Sequence, residues 1–143
     1  MTFAEYVENL SNLAAPTRLP EHLPIMYAIS QSRPIAHASV DSETETLSIK
    51  FEGCSGKLLI WDNGQSCCET RYMSTDDLLP TFTGAKLVGF EVVDGPDIED
   101  EYGDAHEQMF VKLETTMGTI TLVTHNEHNG YYGGFDIESR WED

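Results

Sequence analysis

The feature that most constrains this chain is a change of period at Pro34. Before it, Phe3, Tyr6, Val7, Leu10, Leu13 and Ala14 recur at helical spacing, which puts them on one side of a 3.6-residue turn. "TFAE" at the start fits a capping box, with Thr2 as N-cap and Glu5 three positions on. Pro16 then predicts the end of the helix. "RLPEHLPIMYAISQSRP" carries prolines at 20, 24 and 34. It reads as an irregular connector with one short helix over 25–30.

After Pro34 the apolar residues alternate. "IAHASV" (35–40), "ETLSIKF" (45–51) and "KLLIWD" (57–62) read as strands, with Leu47, Ile49 and Phe51 sharing one face. Asn63-Gly64 takes up the positive φ angles of a tight turn easily, which predicts a hairpin with "SCCETRYM" (66–73) as its return strand. "STDDLLPTF" suits one helical turn capped by Ser74 or Thr75. "AKLVGFEVVDG" (85–95) is strongly β-prone. Residues 94–107 hold seven acids in fourteen positions and read as a long polar loop. "QMFVKLETT" (108–116) and "GTITLVTHN" (118–126) form a hairpin about Met117-Gly118, "NEHNG" turns, and "YYGGFDI" (131–137) is the last strand before a polar tail. The expectation is an α+β fold, an N-terminal helix packed on a mostly antiparallel, meander-type β-sheet. It is a single domain over 1–143, with 1–33 as a helical arm and 34–138 as a β-rich core.

Composition narrows the function. At 143 residues and 40% hydrophobic, a chain of this size buries roughly 68–70% of its unfolded surface. No run approaches the ~18 apolar residues of a membrane span, and "MTFAEYVENLSNLAAPTRLPEHLP" lacks the basic and apolar regions of a signal peptide. The expected location is the cytoplasm, with the three cysteines reduced. Twenty-five acids against eight bases give a net charge of −17. Such a chain repels nucleic-acid backbones, so direct nucleic-acid binding is not expected. A partner protein with a basic surface is.

"GQSCCETRY" (64–72) raises the sharpest chemical question. Neighbouring strand residues point to opposite faces, so Cys67 and Glu69 share a face and Cys68 takes the other. Two sulfurs so placed do not easily grip one metal ion, and a disulfide between neighbours needs a distorted peptide. Glu69 raises rather than lowers a nearby thiol's pKa. His125 and His128 in "THNEHNG" have a His-x-x-His spacing, but no CxxC or HExxH accompanies them. His22, His37 and His106 carry no spacing signal. "GCSGK" (53–57) lacks the glycine spacing and following helix of a phosphate loop. No serine sits in a recognisable nucleophile elbow. Tyr131 and Tyr132 alternate on their strand, and one of them is free to serve as a stacking surface.

"DNGQSCCETRYMSTDDLLPTFTGAKL" followed by "MFVKLETTMGTITLVTHNEHNGYYGGFDI" resembles a family of small phage and prophage-encoded proteins of unknown function. The matching residues are Cys67, Cys68, Glu69, Asp77, Leu78, Phe110, Lys112, Thr115, Gly118, Asn129, Gly130, Tyr131 and Tyr132, within 57–137. The resemblance implies a mobile-element origin and action by binding host machinery.

The leading expectation is therefore a non-enzymatic accessory protein that inhibits a host defence protein, for example a CRISPR-like nucleic-acid-binding one. Its contacts would be the phosphate-mimicking acids Asp94, Asp97, Glu99, Asp100, Glu101, Asp104 and Glu107. One alternative is a small-molecule or nucleotide-signal binder with a pocket of Cys67, Glu69, His125, Tyr131 and Tyr132. Another is a metal-assisted hydrolase using His125, His128 and Glu69. No cofactor is expected, and a homo-oligomer joined through Trp61 or Trp141 is a further alternative.

Overall fold

In the computed structural model, which describes residues 1–12, 21–64, 69–99, 101, 103–130 and 133–143, the helical and alternating segments become separate layers. The capping box forms at the start of α1 (Phe3–Asn12). The Glu5 N–H donates to Thr2 Oγ1 at 3.1 Å and the Thr2 N–H to Glu5 Oε2 at 3.4 Å. No residue of α1 is buried. It is held by Phe3 and Tyr6, each with its ring 5.4 Å from that of Tyr27. The predicted end at Pro16 lies outside the described residues.

Helix α2 (Leu23–Gln31) is longer than expected. Pro24 sits in its first turn, where a missing N–H costs nothing. It buries Ile25, Tyr27 and Ala28, so this part of the supposed arm belongs to the core.

Among the described residues all strand pairs are antiparallel, and they make two sheets. The first has the order β1-β2-β3-β9, from β1 (Ile35–Asp41), β2 (Thr46–Phe51), β3 (Lys57–Asp62) and β9 (Ile137–Glu142). The second has the order β4-β8-β7-β5, from β4 (Glu69–Ser74), β5 (Leu87–Asp94), β7 (Ala105–Thr115) and β8 (Gly118–His128). The short β6 (Ile98–Glu99) also pairs with β7. The inner faces and α2 share one apolar cluster that includes Leu47, Ile49, Leu58 and Ile60 of the first sheet and Val111, Leu113, Ile120 and Leu122 of the second. Burying each such side chain stabilises the fold by roughly 1.5–3 kcal/mol.

The structure corrects several expectations. Asn63-Gly64 does not turn a hairpin, because β3 already has β2 and β9 as its neighbours. The Asn63 N–H donates to the Asp136 carbonyl at 2.7 Å. Asp62 Oδ1 accepts from the N–H groups of Gly64 at 3.2 Å and Asp136 at 2.9 Å. The chain is thus led out of the first sheet, and β4 pairs with β8 in the second.

The last described strand is Ile137–Glu142, and of the expected 131–137 only Ile137 belongs to it, with 131 and 132 outside the described residues. The residues read as a polar tail include Trp141, buried against Tyr27 and Phe51. Trp141 is therefore no exposed interface residue.

The long acidic loop is shorter than predicted. Ile98 and Glu99 pair with His106 and Ala105, so β7 begins at Ala105. The turn after β4 is a 3-10 helix over Leu79–Phe82 without a side-chain cap. Thr75 Oγ1 donates instead to the Thr121 carbonyl at 2.7 Å.

Candidate functional site

Beyond the apolar cluster the alternation of the second sheet continues, but the residue types change. Thr124, Asn126 and His128 of β8 are buried in strict alternation. Arg71 of β4 pairs across from Asn126 and Glu69 from His128. Arg71 makes two bonds to Asp62 (3.1 and 3.0 Å) and two to Glu69 (both 3.1 Å). The three side chains are only 10%, 8% and 4% exposed. Burial works against the guanidinium charge, but Glu69 and Asp62 more than offset it and hold the Arg71 pKa above its ordinary value.

Asn126 Nδ2 donates to Glu69 Oε1 at 3.3 Å and to the Gly134 carbonyl at 3.1 Å. Its Oδ1 is buried without a partner among the described residues. The Gly130 N–H donates to His128 Nδ1 at 3.0 Å. The ring proton therefore sits on Nε2, where Glu107 Oε1 accepts it.

The outer face of the same strands carries a different chain of contacts. Ser74 Oγ lies 2.9 Å from His125 Nε2, and His125 Nδ1 lies 2.9 Å from His106 Nε2. His106 Nδ1 faces Glu127 Oε1 at 3.8 Å. The His125 ring stacks on Tyr72, with centroids 4.3 Å apart and planes 8° from parallel. Burial lowers the His125 pKa, His106 lowers it further, and Glu127 works the other way. Tyr72 has its own pKa raised, by burial and then by Glu127.

The sequence-predicted sites separate accordingly. Asp94, Asp97, Glu99, Glu101 and Asp104 are exposed along β5, β6 and the turn into β7. Glu107 is not with them, because it turns inward onto His128. Asp100 lies outside the described residues, as do Cys67, Tyr131 and Tyr132. Of the expected pocket this leaves Glu69 and His125, which stand on opposite faces of the sheet. His125 and His128 are three residues apart on one strand and so also take opposite faces. Among the described residues no group of three or more His, Cys, Asp or Glu side chains is placed to hold a metal ion, and no helix is long and apolar enough to cross a membrane. A cavity of about 500 Å³ opens at the end of β7 and β8, lined by Ile98, Asp104, Ala105, His106, Glu127 and His128 together with Asn129.

His106 is the candidate site residue that residue spacing does not reveal. Its signal is the register. With the hairpin folded about Met117-Gly118, His106 falls opposite Glu127 and Gln108 opposite His125. His106 is therefore a diagonal neighbour of His125, within reach of a long side chain.

Residues 29–137 match the family model described as a domain of unknown function (DUF7448). No curated protein and no solved structure matches the chain.

Proposed function

The chain belongs to the DUF7448 family of domains of unknown function, and from that premise we propose that it acts by binding, presenting the acidic β5–β6 edge to a basic surface on a partner protein. The observation that carries this reading is the state of the carboxylates there. Asp94, Asp97, Glu99 and Glu101 are exposed, and none has an ion-pair partner among the described residues. Ile98 lies among them, 57% exposed. Carboxylates already in water and unpaired lose little when a partner's cations replace the solvent. A net charge of −17 steers such a partner in from a distance.

Surfaces with that complementary chemistry grip nucleic-acid backbones. The resemblance to small phage-encoded proteins makes a host defence protein the expected target, with the acids standing in for phosphates. The small-molecule alternative has the cavity beside His106 as its support. Asp104 and Glu127 in its wall favour a neutral or cationic ligand over an anionic nucleotide.

The test is a bacterial lysate pull-down with the full chain, run at roughly 50 and 200 mM salt, where screening differs strongly. It is repeated with Asp94, Asp97, Glu99 and Glu101 all changed to Lys. Lysines keep the open edge charged, which guards against edge-to-edge pairing, while reversing the field. A partner that is lost both at high salt and with the lysine variant supports the reading. A partner retained in both cases overturns it.

A further inference from the structure

We propose that Ser74 is a nucleophile for acyl transfer from a small carboxylic ester, with His125 as its general base and His106 positioning His125. This goes beyond the binding reading and does not rest on it.

The geometry is that of an activated nucleophile: a hydroxyl within hydrogen-bond reach of a base, and the base held in turn by a third group. Such constellations are recognised by roles and distances rather than by chain order.

One tautomer of His106 lines up every proton in the chain towards the serine. Glu127 has only acceptors to offer, and it faces His106 Nδ1 at 3.8 Å. A proton on that nitrogen faces the carboxylate and leaves the lone pair on His106 Nε2. In that tautomer His125 Nδ1 donates to it across 2.9 Å. This puts a lone pair on His125 Nε2, 2.9 Å from Ser74 Oγ. The serine hydroxyl donates to that lone pair, which is the arrangement a general base needs. Stacking on Tyr72 fixes the plane of the His125 ring. Burial and the neighbouring imidazole keep His125 a neutral base at neutral pH.

The demands of folding do not account for this alignment. Ser74 is exposed and His106 and His125 are only partly covered, so water was available to all three. Buried polar groups must find protein partners, whereas these had no such need and are aligned nonetheless.

The charge selects the electrophile. Glu127 stands 3.8 Å from His106 and Asp104 lines the same cavity as both, on a chain of net charge −17, so a neutral or cationic ester is favoured over an anionic one. In the first half-reaction Ser74 Oγ forms a bond to the carbonyl carbon and its proton passes to His125 Nε2. The tetrahedral intermediate expels the alkoxide, which takes that proton and leaves as the alcohol. In the second half-reaction His125 takes a proton from water, the hydroxide attacks the acyl-serine, and Ser74 recovers its proton as the acid departs. The sum is ester plus water giving acid plus alcohol.

The experiment uses the full chain with para-nitrophenyl acetate, following nitrophenolate release and mapping the acetyl group by mass spectrometry of the quenched protein. The expected result is a single acetyl group on Ser74. It should be absent in Ser74→Ala and slowed by roughly 10²–10⁴-fold in His125→Ala, the usual contribution of a general base. His37→Ala, exposed on β1, should react like the parent chain. His106→Ala should slow acetylation and move the inflexion of its pH profile upward, since the neighbouring imidazole no longer lowers the His125 pKa. His106→Gln, whose amide oxygen can still accept from Nδ1–H, should recover part of the rate. Acetylation on lysines or surface histidines alone, no acetylation, or a rate unchanged in Ser74→Ala or His125→Ala overturns the proposal. Because the adduct is mapped on the parent chain, the site of acetylation decides the matter even if a variant fails to fold.

Discussion

Strands β4, β7 and β8 carry two polar assemblies at the same end of the same sheet, one on each face. On the inner face Arg71, Asp62 and Glu69 are 10% exposed or less. On the outer face His106 is 28% exposed and Glu127 48%. The difference is in what replaces a lost partner. Inside, nothing does, and an abandoned charge stays buried. Outside, water does. A period of two thus lets one set of strands hold the fold with one face and leave the polar groups of the other within reach of water.

The largest expected effect breaks the inner assembly. Arg71→Ala leaves Asp62 and Glu69 buried without their cation and should cost roughly 3–5 kcal/mol, measured by urea unfolding at neutral pH. Arg71→Lys should restore only part, since an ammonium cannot reproduce paired two-point contacts. A loss below about 1 kcal/mol would put the clamp in the class of surface ion pairs and erase the contrast between the faces.

The same contrast separates the two helices. Since α1 buries no residue, its capping box is a large part of what holds it. Thr2→Ala should destabilise α1 by about 1 kcal/mol. Hydrogen exchange is the suitable measurement, because the loss should appear in the amides of 3–12 and leave the sheets protected. Faster exchange in the sheets as well would show that α1 is coupled to the core through more than Tyr27.

Acid should act on the outer face through His125. Its folded-state pKa lies below the ordinary 6.5, so between the two values the unfolded chain binds the proton more readily. The contribution is therefore fully present above 6.5 and is lost as pH falls from 6.5 towards the lower folded value. Melting temperature should fall across that window, and His125→Ala should flatten this part of the profile while His37→Ala leaves it in place. An unchanged profile in His125→Ala would show that the outer chain does not sense the folded state.

What the sequence makes legible follows from how local each signal is. The capping box, the β7–β8 hairpin and the inward set Leu47, Ile49 and Phe51 are written in neighbouring residues, and all are readable. The partner of β3 is not. Asn63-Gly64 carries a strong hairpin signal, yet it is overridden by Asp62 and Asp136, 74 positions apart, together with the closing strand β9. That strand is present in the alternation of Ile137, Ser139 and Trp141 but masked by its polar intervening residues. The split of the polar residues between two faces needs only parity within each strand. The junction of Ser74 with His125 needs the pairing of β4 with β8, which no local pattern announces.

The smallest expected effect sharpens the comparison most. Ser74→Ala removes a hydroxyl that is exposed and leaves His125 Nε2 open to water. Surface substitutions of this kind change stability by no more than about 0.5 kcal/mol, and that is the expected result in urea unfolding. Paired with Arg71→Ala under the same conditions, it measures the two faces on one scale. A cost of about 2 kcal/mol or more would mean that Ser74 and the two imidazoles are a structural brace, and both faces would then serve the fold. A cost near zero would leave the alignment of Ser74, His125 and His106 unexplained by stability, which is the state expected of groups kept for what they do to something else.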